Sequence, residues 1–156
     1  MGKTEKSISD LSARGLKIAI LVSRYNPRIG DGLLKGALRE LKNLGLEEPE
    51  IAVQRVPGAF ELPLVAKRLA DSGKVDAVLC LGAVIRGETS HYDYVCMGVT
   101  QGLQQAMLLT GVPMAFGVLT TDNEAQALAR CGEDEHNKGG EAARAAVEMV
   151  RLLGKF

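Results

Sequence analysis

The segment Gly82-Ala83-Val84-Ile85-Arg86-Gly87-Glu88-Thr89-Ser90-His91 holds the densest set of groups that could do chemistry. Its glycine spacing nearly matches the phosphate loop G-x-x-x-x-G-K-[ST], but Glu88 stands at the lysine position. A carboxylate there repels a triphosphate, which argues against a nucleotide triphosphatase. A glycine turn feeding a helix N-terminus still suits a single phosphate, held by free N–H groups and the helix dipole. The same residues also suit a tight strand-to-helix turn capped by Thr89 or Ser90. His91 opens the helix that follows. It can exchange protons near neutral pH, or serve as a surface or capping residue.

Three further segments carry candidate groups. Ser23-Arg24-Tyr25-Asn26-Pro27 sets a ring beside an amide, which can stack on a flat heterocycle and hydrogen-bond its edge; it also reads as a rim tyrosine with Asn-Pro turn chemistry. Residues 56–63 (VPGAFELP) place Phe60 next to Glu61. That carboxylate can accept from hydroxyl groups, or simply favour the first turn of a helix. Arg130 and Lys138 flank an acidic turn. They can pair with Glu133, Asp134 or Glu135, or serve a phosphate, for which arginine offers a planar fork. His136 lies within that turn, where solvation is expected. The two histidines have no metal-binding spacing, so no metal is expected. No CxxC, HExxH, GxGxxG or Ser-His-Asp order occurs.

These segments need elements to position them. Apolar runs at residues 16–22, 51–56, 75–81 and 113–119 have strand length. Helical spacing marks residues 31–44, with Asp31 as N-cap and Gly45 as stop, then 61–72 and 92–109. Thr121 to Glu124 matches a capping box opening a short helix to about residue 131. A last helix covers residues 140–153. Nearly continuous apolar strands joined by single helices imply a parallel sheet between two helix layers, with right-handed crossovers. Ligands of such sheets bind at loops leaving the carboxyl ends of strands. The four loops so placed are 23–30, 57–61, 82–91 and 120–123. Phe116 is expected in the core, at the end of the fourth strand.

Composition sets the outer bounds. The 156 residues suit one domain, read as an arm over 1–15 followed by a single α/β domain over 16–156. Nineteen basic residues balance nineteen acidic ones, which argues against a general nucleic-acid binder. The three cysteines are too few and too irregular for a disulfide framework, and no apolar stretch is long enough to span a membrane. A cytoplasmic location is therefore expected. Three Phe, three Tyr and no Trp leave a core built from aliphatic residues.

Together the loops supply a ring platform, hydroxyl acceptors, a monophosphate nest, a histidine and spare cations. At these residues the sequence resembles the lumazine synthase family of riboflavin biosynthesis. The resemblance runs collinearly from about residue 16 to 153 and rests on SRYN (23–26), VPGAFELP (56–63), GAVIRGETSHYDYV (82–95), FGVLTTDN (116–123) and NKGGEAA (137–143). It implies a flavodoxin-like three-layer α/β/α sandwich with a four-stranded parallel sheet. It also implies homopentamers with active sites between subunits, in some members built into sixty-subunit shells, and association with a riboflavin synthase. The implied reaction joins 5-amino-6-(ribitylamino)uracil to 3,4-dihydroxy-2-butanone 4-phosphate, without metal or redox cofactor.

Carried over by position, Tyr25 matches the ring that stacks on the pyrimidine, with Asn26 beside it. Ala59, Phe60 and Glu61 match the segment holding the ribityl chain, and Ala83, Val84 and Ile85 the backbone reading the pyrimidine edge. Gly87, Glu88 and Thr89 match the phosphate nest, and His91 the proton-transfer residue. Phe116, Arg130 and Lys138 match residues given by the neighbouring subunit, with Arg130 on the phosphate. Tyr25 stands where Phe or Trp is common, and Ser90 where Pro or Thr is common. Residues 133–136 are more acidic than in many relatives, which bears on shell formation. An archaeal-type riboflavin synthase and a non-catalytic flavin- or lumazine-binding shell protein are the competing readings.

Overall fold

Four short aliphatic runs form the strands: β1 (Ile18–Ser23), β2 (Ile51–Val56), β3 (Ala77–Ile85) and β4 (Met114–Thr121). The structure is a computed structural model that describes residues 10–156; residues 1–9, and with them most of the expected arm, lie outside the described residues. All strand pairs are parallel, in the order β2-β1-β3-β4. The connecting helices are α1 (Pro27–Asn43), α2 (Leu62–Asp71), α3 (His91–Thr110), α4 (Glu124–Leu128) and α5 (Lys138–Leu153). This is a flavodoxin-like α/β fold, with helices on both sides of the sheet.

Strand side chains alternate between the two faces. Ile18, Ile20 and Val22 of β1 join a core with α1 and α5, built on Ile29, Leu33, Leu41 and Val147. Ala19 and Leu21 join a second core with α2 and α3, built on Leu62, Ala66, Val99 and Leu103. No aromatic ring is buried in either. Each fully buried Leu or Ile contributes roughly 1.5–3 kcal/mol relative to exposure. Among the described residues no helix is long and apolar enough to cross a membrane.

Several local expectations are corrected. β2 is an edge strand, and Ala52 to Arg55 are exposed in the single chain, not buried on both faces. α1 starts four residues earlier than expected: Asn26 takes the left-handed region (φ 56°) and Pro27 opens the helix, where its missing N–H costs nothing. Asp31 is thus not a cap; it lies inside α1 and pairs with Arg55 of β2 at 2.7 Å. β3 continues to Ile85, because β4 runs beside it from Val118 to Thr121 and supplies a ladder for Gly82 to Ile85. Gly82 is therefore a strand glycine, and only residues 86–90 form the loop. The cap of α4 is Asn123, whose side chain accepts from the Gln126 N–H at 2.9 Å, while Gln126 accepts from the Asp122 N–H at 2.9 Å. The capping box is shifted by two residues, and α4 ends at Leu128.

Beyond residue 9 the chain packs onto the α1/α5 layer. Ala13 is fully buried and its N–H donates to the Leu44 carbonyl at 2.8 Å. Arg151 donates to the carbonyls of Ser12 and Arg14, both at 2.8 Å.

Candidate functional site

Sheet order reverses between β1 and β3, and the crevice above that point is where doubly wound sheets take ligands. A cleft of about 680 Å³ lies there. β1 hands over to α1 through Tyr25 and Asn26. The left-handed turn at Asn26 aims its amide at β3, where Nδ2 donates to the Ala83 carbonyl at 3.1 Å. β2 hands over to α2 through Gly58 and a 3₁₀ turn, Ala59–Glu61. A β-carbon at Gly58 would come within 3.0 Å of both the Tyr25 ring and the Glu61 carboxylate, so these side chains share one wall. β3 brings Ala83, Val84 and Ile85, and α3 brings His91.

The cleft therefore gathers Tyr25, Asn26, Ala59, Phe60, Glu61, Ala83, Val84, Ile85 and His91. Tyr25 (71%) and Phe60 (60%) are exposed rings, as a stacking surface requires. His91 is the exposed first residue of α3, and its N–H donates to the Thr89 hydroxyl at 3.3 Å. The backbone N–H groups of Gly87, Glu88, Thr89 and Ser90 donate to no group among the described residues. They form an open run at the positive end of a 20-residue helix, suited to an anion.

Four further contributors stand outside the site residues assigned from the sequence. Tyr94 and Val95 line the cleft three and four residues after His91, as helical spacing brings them to its side. Gly98 seats Phe60, since a β-carbon there would overlap the ring. Arg86 braces the loop from outside. Its Nε donates to Asp122 at 3.2 Å, its Nη1 to Asp93 at 3.3 Å, and its guanidinium lies 4.1 Å from the Tyr92 ring centre. Asp122, foremost, raises the Arg86 pKa further above its ordinary value, and partial burial pushes up the Tyr92 hydroxyl and the Cys96 thiol.

Gly87, Glu88 and Thr89 precede His91 without lining the cleft, and the three residues expected from a neighbouring subunit lie away from this chain's own cleft. Phe116 is the third residue of β4, not its end, and pairs with Cys80, five residues before the Ile85–Thr121 pair. At about 3.3 Å per residue that sets it roughly 16 Å down the strand. It shares the face of Met114 and Val118 and is 44% exposed rather than in the core. Arg130 follows α4 and Lys138 begins α5. Arg130 donates to the Gln126 carbonyl at 2.8 Å, and Lys138 pairs with Glu141 at 2.7 Å. A larger hollow of about 1040 Å³ lies at the amino ends of β1 and β2, among Arg14, Lys42, Glu47 and Glu50, away from every group above.

Fold and cleft together define a flavodoxin-like α/β protein with a strand-end pocket walled by two exposed rings, a carboxylate and a histidine. A family model described as 6,7-dimethyl-8-ribityllumazine synthase matches residues 15–154, and the chain belongs to that family. It is a family of transferases, consistent with small-molecule substrates and homo-oligomerisation.

Proposed function

We propose that the chain condenses 5-amino-6-(ribitylamino)uracil with 3,4-dihydroxy-2-butanone 4-phosphate, giving 6,7-dimethyl-8-ribityllumazine, inorganic phosphate and water, the penultimate step of riboflavin formation. The carrying observation is the cleft itself. Two exposed rings, a carboxylate, the β3 backbone and a histidine converge beside an open run of N–H groups.

In this reading the pyrimidine stacks on Tyr25 and its edge meets the backbone of Ala83, Val84 and Ile85. The ribityl hydroxyls lie along Ala59 and Phe60, with Glu61 accepting from them. The 5-amino group attacks the ketone, and loss of water from the carbinolamine leaves an imine. Loss of the butanone C3 proton then expels phosphate from C4, the resulting enol tautomerises to a ketone, and the ribitylamino nitrogen attacks that ketone and closes the second ring with loss of water. His91 carries protons for these steps, a role worth roughly 10²–10⁴-fold. The N–H groups of Gly87, Glu88 and Thr89 hold the phosphate, so the charge of the Glu88 side chain need not favour it. Arg130 and Lys138 come from the neighbouring subunit of a homopentamer and stabilise the leaving phosphate, and Phe116 of the same neighbour meets the pyrimidine and ribityl groups. Holding two substrates together supplies much of the remaining acceleration. The three free thiols suit a reducing compartment, the cytoplasm.

The test is a coupled assay of phosphate release and lumazine absorbance. Both signals are expected only when both substrates are present. Conversion of the lumazine itself to riboflavin without phosphate release would contradict the reading, as would binding of lumazine with no turnover.

A further inference from the structure

Asn137 is one of three buried polar residues among the described residues, and only 2% exposed. Its amide is fully used. Oδ1 accepts from the N–H groups of Gly139 at 2.8 Å and Gly140 at 3.3 Å, which caps α5. Nδ2 donates to the Gly132 carbonyl at 2.7 Å and to the Gly32 carbonyl of α1 at 3.0 Å. Capping needs only the acceptor half, and aspartate or serine would serve as well. The donor half acts elsewhere, on the loop between α4 and α5 and on α1.

That loop has the two expected cations at its ends. The Lys138 N–H donates to the Arg130 carbonyl at 2.9 Å, which closes the segment on itself. Outside, Arg39 of α1 donates to the carbonyls of Glu133 and Asp134. Inside, Asn137 ties the loop to α1, which is shaped to receive it: a β-carbon at Gly36 would overlap the amide. A buried amide with every hydrogen bond made permits little displacement, because shifting it leaves orphaned donors.

We propose that Asn137 is a positioning residue that fixes Arg130 and Lys138 relative to α1, and so sets the grip on the phosphate-bearing substrate. The inference rests on the function proposed above. It predicts a selective defect, since the pyrimidine side of the site is carried by other elements.

The experiment uses the full chain in its own assembly, checked by light scattering, with wild type assayed first. Asn137→Asp keeps the cap but loses both donors and sets a carboxylate against two carbonyls. Gly36→Ala disturbs the same amide from α1. In both variants the KM for the phosphate-bearing substrate and the inhibition constant of inorganic phosphate are expected to rise about tenfold or more. The KM for the pyrimidine is expected to stay within about twofold. Equal weakening of both substrates, through lost assembly or otherwise, would overturn the assignment, as would a lower melting temperature with unchanged KM values. A wild type that makes no lumazine would refute the proposed function instead; an active wild type leaves the two variants to decide Asn137 alone.

Discussion

On the α1/α5 face of the sheet the chain covers most of its apolar surface, leaving Met149, Leu152 and Leu153 of α5 41–43% exposed, whereas the α2/α3 face is left more open. α1 and α5 meet through Gly36, Gly139 and small alanines, with Ala143 fully buried, and Arg144 bridges to Glu40 at 2.6 Å across the outside. α3 buries only Val99, Leu103 and Ala106 along 20 residues. Met97, Leu108 and Leu109 of α3 and Leu64 of α2 are 54–74% exposed in the single chain. A run of exposed aliphatic residues of this kind needs a cover, and a second copy fits a family consistent with homo-oligomerisation. The proposed chemistry divides along the same line. The cleft opens beside α3, while Arg130 lies in the segment leading to α5 and Lys138 begins that helix. In the function proposed above, the α2/α3 face recognises substrate and the α1/α5 side gives its cations to a neighbour.

The sharpest way to break this division is at His91. Replacement by alanine is expected to lower kcat by roughly 10²–10⁴-fold while leaving both KM values nearly unchanged. Full turnover in steady-state assays where chemistry limits the rate would remove the proton-transfer role from the α2/α3 face. A charge on the exposed aliphatic surface of α3 comes next. Leu108→Glu should lower the mass seen by light scattering and lose activity with it, because an unpaired buried charge costs several kcal/mol. An unchanged mass would mean that Leu108 stays in solvent after assembly.

Much of this was legible in the sequence, and the gaps have physical causes. β1 and β3 were readable because both faces are buried, so their aliphatic runs are unbroken. β2 misled for the opposite reason: its apolar letters sit on an edge, where no second helix layer covers them. The extension of β3 through Gly82 and Ala83 depends on β4 lying beside it, a tertiary fact that local glycine content obscures. That Tyr25, Phe60, Glu61 and His91 share one cleft was legible because strand-end loops converge at the carboxyl edge of a parallel sheet. Tyr94 and Val95 were available from the helical period after His91. Gly98 was not, because it acts only by leaving room for Phe60. Asn137 stood inside a motif, but its bond to Gly32 spans 105 residues and has no local signature.

The smallest expected effect also reports on the α2/α3 core. Burial pushes the Cys80 thiol up to about 12 from its ordinary 9.0. The folded chain keeps this proton where the unfolded chain has released it. The stability contribution is therefore intact below pH 9.0 and lost as the pH rises toward about 12. Denaturant titrations across that interval should show a fall that is shallower in Cys80→Ala, by up to about 1.4 kcal/mol per pH unit. Identical slopes would mean that water reaches this thiol in the folded state.

The central claim is that one active site joins the cleft of one chain to the cations of the next. Subunit mixing tests it directly. His91→Ala and Arg130→Ala chains, each nearly inactive alone, are unfolded together in equal amounts and reassembled. Sites that draw His91 from one chain and Arg130 from its neighbour are expected in about a quarter of positions, restoring about that share of wild-type activity. Activity no higher than the mean of the two separately refolded variants would contradict a shared site.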